Sequence, residues 1–120
     1  MKLTNSVMDE YLCSLKNISE KVSGKFAYAV ARNMRKLSGE LTEYVTIKNK
    51  TIQKYGETDE TGNSRIMVGT EAFDKYVSEM NEYANIEHEV ELMMVSQDDL
   101  LSSKLNANEM LSVDFMIQEE

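Results

Sequence analysis

Residues Lys21–Tyr55 read KVSGKFAYAVARNMRKLSGELTEYVTIKNKTIQKY, and the period of this stretch decides the fold. Ala27, Val30, Met34, Leu37, Leu41 and Tyr44 step by three and four in alternation, which is a heptad seam. The pattern predicts a helix that continues past Ile47 and Ile52 to Tyr55, with Gly56 as its C-terminal stop. A helix of about thirty residues is roughly 45 Å long at about 1.5 Å per residue. One small domain does not cover that length. A preceding helix can pack on half of the seam, and the remainder must meet the C-terminal elements or a second copy of the chain. A homodimer or higher oligomer is therefore expected.

The same stretch concentrates positive charge. It holds eight lysines and arginines against Glu40 and Glu43, whereas Gly56–Glu120 holds sixteen acids against Arg65, Lys75 and Lys104, within a net charge of -8. Plotted at about 100° per residue, Lys21, Lys25, Arg32, Lys36, Lys50 and Lys54 fall opposite the seam, with Tyr28 and Arg35 at the margin. Arginine grips oxygens in pairs, lysine supplies a point charge, and Tyr28 can stack on a base. Lys25, Tyr28, Arg32, Arg35 and Lys36 are thus the candidate ligand-binding set, and their partner a small anionic nucleotide. The plain alternative is the wet side of an amphipathic helix, solvated or docked on the acids of its own chain. Duplex nucleic acid is disfavoured, since the acidic half repels a long polyanion from most directions.

The remaining segments fit one domain, 1–120, with a helical hairpin at 1–55 and an acidic α+β portion at 56–120. Val7, Met8, Tyr11, Leu12, Leu15 and Ile18 predict a first helix over about Asn5–Ile18, with Ser6 and Asp9 as a capping pair. A polar turn at Glu57–Ser64 leads to a β-like run at Arg65–Val68. Thr70 caps a helix bearing Phe73, Tyr76, Val77, Met80 and Tyr83 on one face. Ile86, His88, Val90, Leu92 and Met94 alternate with Glu87, Glu89, Glu91 and Met93, predicting a strand with one apolar and one acidic side. Ser96–Ser103 reads as turn, and a last helix opens at Asn106 with Glu109 three residues on. The expected class is a helix-rich α+β fold, with a long N-terminal helical hairpin, a small β element and two short C-terminal helices.

Catalysis finds little support. His88 is the only histidine, and strand alternation points it away from Glu87 and Glu89, so they form no metal site or base-and-orienter pair. Cys13, the only cysteine, sits among Leu12 and Leu15 and is expected to pack as a small hydrophobe. Asp59, Thr61 and Asn63 fit the first ligand positions of a calcium loop, but Ser64 and Thr70 replace the glycine and glutamate it requires. No enzyme activity, metal or cofactor is expected. No segment approaches the roughly 18 apolar residues of a membrane span, and the polar start predicts a cytoplasmic protein.

The opening Met1–Asn5, the Val22–Leu37 segment with Phe26, Ala27, Tyr28, Val30 and Met34, the Lys54–Glu57 helix end and the closing Asp114–Glu120 together carry a resemblance. The chain is similar to a set of small uncharacterised proteins from phages and prophages of Gram-positive bacteria. It departs from them at Ser19–Ser23, where a Leu-Pro pair is expected. The resemblance implies a phage setting and a non-enzymatic role, and it supplies no site residues. Three functions remain open. The first is a counter-defence protein that sequesters an anionic nucleotide signal on the basic helix face at an oligomer interface. The second is an acidic mimic of nucleic acid that inhibits a host defence enzyme through Glu87, Glu89 and Glu91, with Asp98, Asp99, Asp114, Glu119 and Glu120 adding charge. The third is a morphogenesis or scaffold protein.

Overall fold

The structure, a computed structural model, describes residues 1–118. Strand β1 (Lys2–Thr4) runs directly into helix α1 (Asn5–Ile18). Leaving β1, Thr4 keeps an extended backbone and its hydroxyl accepts a hydrogen bond from the Val7 amide at 3.2 Å. It is therefore Thr4, not Ser6, that caps the helix, because the cap must lie outside the helical φ/ψ region. Met8, Leu12, Leu15 and Ile18 form the buried stripe of α1. Cys13 does not join them: it is exposed. The stripe runs through positions 8, 12 and 15, and Cys13 lies about 100° round the helix from Leu12.

The expected single rod is two helices, α2 (Gly24–Glu40) and α3 (Thr42–Tyr55), joined at a kink. Leu41 carries the kink with φ -89° and ψ -1°. Ser38 and Gly39 precede it, and the Thr42 hydroxyl donates back to the Ser38 carbonyl at 3.1 Å. A serine–glycine pair and a back-bonding threonine are recognised causes of helix bending. The buried side of α2 is Phe26, Ala29, Val30, Asn33 and Leu37, while Ala27 and Met34 of the expected seam are only half-buried. The helix has rotated by about 50° to bring Phe26 inward. Full burial of a side chain of that size is worth about 2–3 kcal/mol.

Below the kink, α3 lies beside α4 (Glu71–Ala84), linked by a small hairpin of β2 (Glu57–Thr58) and β3 (Ser64–Arg65). The residues that partly resembled a calcium loop build its turn. Asp59 Oδ1 accepts from the Thr61 amide at 2.9 Å, the Thr61 hydroxyl at 2.6 Å and the Asn63 amide at 3.0 Å. These bonds, the Thr61 hydroxyl first, hold the Asp59 carboxyl below its usual range. Gly56 ends α3 as the sequence predicts, but through close approach rather than a left-handed φ. A Cβ there would stand 2.5 Å from the Ile52 carbonyl oxygen and 2.6 Å from that of Arg65. Thr70 caps α4, accepting from the Phe73 amide at 3.2 Å.

Strand β4 (Glu87–Glu89) pairs antiparallel with β1, in the register Leu3 opposite His88. Strand β4 takes only three residues of the expected strand at 86–94, with Ile86 and Val90 bonded to Asn5 and Met1 at its two ends, because the N-terminal segment offers no partner beyond them. Ser96–Ser103, expected as turn, contains the short helix α5 (Gln97–Leu101), capped by the Ser96 hydroxyl. Helix α6 (Ala107–Ser112) opens with the Asn106–Glu109 capping box anticipated from the sequence. A 3-10 turn at Asp114–Met116 follows, and its Phe115 ring stacks on Tyr11 at 3.8 Å between centroids.

The fold is thus helix-rich α+β. Its core joins Met8, Leu15 and Ile18 of α1 to Val30, Leu37 and Leu41, closed by Val90, Val95, Val113 and Met116. The α3–α4 arm stands outside that core: its buried side chains are Thr51 and Met80. The arm gives the molecule its elongated outline of 48 × 30 × 22 Å. Burial at its base pushes the Tyr44 and Tyr76 phenols above their ordinary values, and the nearby Asp9 carboxylate adds to both shifts.

Candidate anion-binding groove

Asn33 is 1% exposed, in the middle of the buried face of α2. An amide there must place two donors and an acceptor. It does so on the backbone of Met93: Nδ2 donates to the Met93 carbonyl at 3.0 Å, and Oδ1 accepts from the Met93 amide at 2.7 Å. The pair mimics one rung of a β ladder. It pins the extended segment that follows β4 alongside α2 and so fixes the distance between the two.

Between them runs an open groove of about 650 Å³, lined by Tyr28, Arg32, Asn33, Arg35 and Lys36 from α2 and by Glu91, Leu92 and Met93 from the extended segment. That volume falls within the range of about 300–1,000 Å³ typical of small-molecule sites. Four of the five candidate residues therefore meet in one place. Lys25 does not line the groove; it is exposed in the first turn of α2. Arg32, Arg35 and Lys36 stand three and four residues apart, which sets neighbouring Cβ atoms about 5–6 Å apart on one helix face. All three are exposed, and among the described residues none has a carboxylate within ion-pair distance. Glu91 faces them across the groove without closing on them. Both walls come from a single chain.

Two other cations of the basic stretch are engaged by their own fold. Lys21 bonds Glu109 Oε2 at 2.7 Å, and Lys54 lies 3.4 Å from Glu79 Oε1 with its ammonium 4.9 Å from the Tyr55 ring centroid. The Lys21 ammonium, with the Asn106 amide, holds the Glu109 carboxyl below its usual range. The kink at Leu41 separates Lys50 and Lys54 from the groove, so the stripe does not run the length of one rod.

His88 is half-buried, with Nδ1 3.5 Å from Glu40 Oε2. Glu87 and Glu89 are exposed on the other side of β4. Glu91, which alternation aligned with them, instead lines the basic groove. Glu119 and Glu120 lie outside the described residues. Among the described residues no three His, Cys, Asp or Glu side chains cluster to hold a metal.

Sequence reasoning did not single out Asn33, Leu92 or Met93 as site residues, and it placed Glu91 in an acidic row. The available signal was Asn33 itself, a polar residue with Val30 three positions before it and Leu37 four after it. Its partner could not be read, because Met93 is sixty residues away.

No helix is long and apolar enough to cross a membrane among the described residues. No protein-family model, curated protein or solved structure matches this chain.

Proposed function

We propose that this chain is a non-catalytic binding protein that sequesters a compact, phosphorylated nucleotide in the groove between α2 and the Glu91–Met93 segment. The observation that carries the proposal is that Arg32, Arg35 and Lys36, beside Tyr28, face open volume with no carboxylate partner among the described residues. Unpaired guanidinium groups on a rigid helix offer forked donors already positioned for phosphate oxygens. Tyr28 and Met93 present flat or soft apolar surface for a base, and Glu91 can accept from ribose hydroxyls or an exocyclic amine. A long polyanion is held less well, since Glu91 lines the site and the chain as a whole carries a net charge of -8. Sequestration of a nucleotide signal is the task that suits such a site in a phage counter-defence protein acting in the cytoplasm of a bacterial host.

Calorimetry or native mass spectrometry with a panel of linear and cyclic nucleotides tests this. At least one member is expected to bind at micromolar concentration or tighter, and reversal of Arg32 and Arg35 to glutamate is expected to weaken it at least tenfold. Failure of every nucleotide to bind at micromolar levels removes the proposal. Binding that survives the reversals moves the site elsewhere.

A further inference from the structure

We infer that a second copy of this chain pairs with the outer face of the α3–α4 arm. The Lys54–Glu79 contact of 3.4 Å marks one face of this two-helix layer. Ile47, on the same flank of α3, lines a cavity with Asn5, Tyr83 and His88, so the β1–β4 sheet sits on that side. At about 100° per residue, Val45 and Ile52 of α3 and Phe73 and Val77 of α4 lie about 120–180° round from Lys54 and Glu79. Because the two helices are antiparallel, both flanks turn to the same outer face. Val45 and Val77 are 40% and 38% exposed there.

A layer of two helices buries only the seam between them, and a stable helical unit covers the remaining apolar stripes with another layer. Within this chain α3 and α4 bury only Thr51 and Met80.

Charge selects the occupant. On this outer face α3 carries Lys48, between Val45 and Ile52, and α4 carries Asp74, between Phe73 and Val77, while Lys54 and Glu79 pair with each other on the opposite face. A twofold axis parallel to the helices lays α3 of each copy on α4 of the other and brings Lys48 toward Asp74, twice over. An axis across the helices sets like on like, which complementarity disfavours. The parallel axis also gathers the hairpin tips at one end. Met67 and Val68, 70% and 81% exposed, then meet their counterparts. The face is about 21 Å long at about 1.5 Å per residue. A face that short belongs with small interfaces, so the expected association is micromolar.

Sedimentation velocity of the full chain across about 1–100 µM tests the pairing. A monomer–dimer equilibrium is expected, and Val45→Glu with Val77→Glu should weaken it at least tenfold with an unchanged circular dichroism spectrum, since both side chains already meet solvent. Lys48→Glu alone and Asp74→Lys alone should each weaken association several-fold, and mixing the two variants should restore it. A wild-type monomer throughout the range overturns the pairing and leaves the face to a different protein. A dimer indifferent to the valine substitutions, or a mixture that does not re-associate, also overturns it. Nucleotide titration reads a different face, so either proposal can fail alone.

Discussion

Truncating Asn33 to alanine separates the two walls of the groove, and its cost follows from the hydrogen bonds it removes. The Met93 amide and carbonyl each lose a partner, at 2.7 Å and 3.0 Å respectively. A buried backbone group left unsatisfied costs about 1–3 kcal/mol. Met93 is 38% exposed, so water reaches part of it and the lower half of that range applies to each group. Adding the void left by the shortened side chain, the expected loss is about 3 kcal/mol. For a domain whose whole stability is about 5–15 kcal/mol, that lowers Tm by roughly 10 °C. Asn33→Leu fills the void without restoring either bond and should lose about 2 kcal/mol. Urea unfolding of both variants gives the energies, and amide exchange at Met93 and Met94 should accelerate before the rest of the core. Nucleotide affinity should fall in both, although every cationic side chain is intact. If both variants stay within about 0.5 kcal/mol of wild type, the range of ordinary surface substitutions, the clamp has no energetic role.

Three further outcomes are expected. Gly56→Ala forces a Cβ between two carbonyl oxygens and should cost about 1–3 kcal/mol, read as a lower urea midpoint, because backbone must shift to admit it. Lys25→Ala, outside the groove, should leave both nucleotide affinity and stability unchanged by calorimetry and urea unfolding. Glu109 has a folded pKa below its ordinary 4.5. Its ionised form therefore contributes stability above that pH, and the contribution is lost as pH falls below 4.5 through the folded value. Acid titration of Glu109→Gln, followed by circular dichroism, should show a shallower loss of stability in that window than wild type.

Much of the fold was legible because the signals are local. The extent of α1, the Thr70 cap of α4 and the Asn106–Glu109 capping box each depend on residues within four positions of one another. The basic helix face was legible for the same reason, since Tyr28, Arg32, Arg35 and Lys36 are set by helix period alone. What the sequence hid is long-range. The first strand is three residues long and has meaning only opposite Glu87–Glu89. The rotation of α2 toward Phe26 depends on what α1 and the C-terminal segment can cover. The kink was written in Ser38 and Gly39, but the apolar period on both sides of them is continuous, and periodicity outvoted the break. Cys13 was misplaced because leucines beside it in sequence are not beside it on the helix. The second wall of the groove rests on one asparagine reaching a backbone sixty residues on.

The most direct measurement of the central claim is a titration of ¹⁵N-labelled protein with the nucleotide panel, followed by amide chemical shifts. If the groove holds the phosphates, shifts cluster at Arg32–Lys36 and at Leu92–Met94 and vanish when Arg32 and Arg35 are reversed to glutamate. Shifts confined to α1 or to the α3–α4 arm, or a spectrum indifferent to every nucleotide, contradict it.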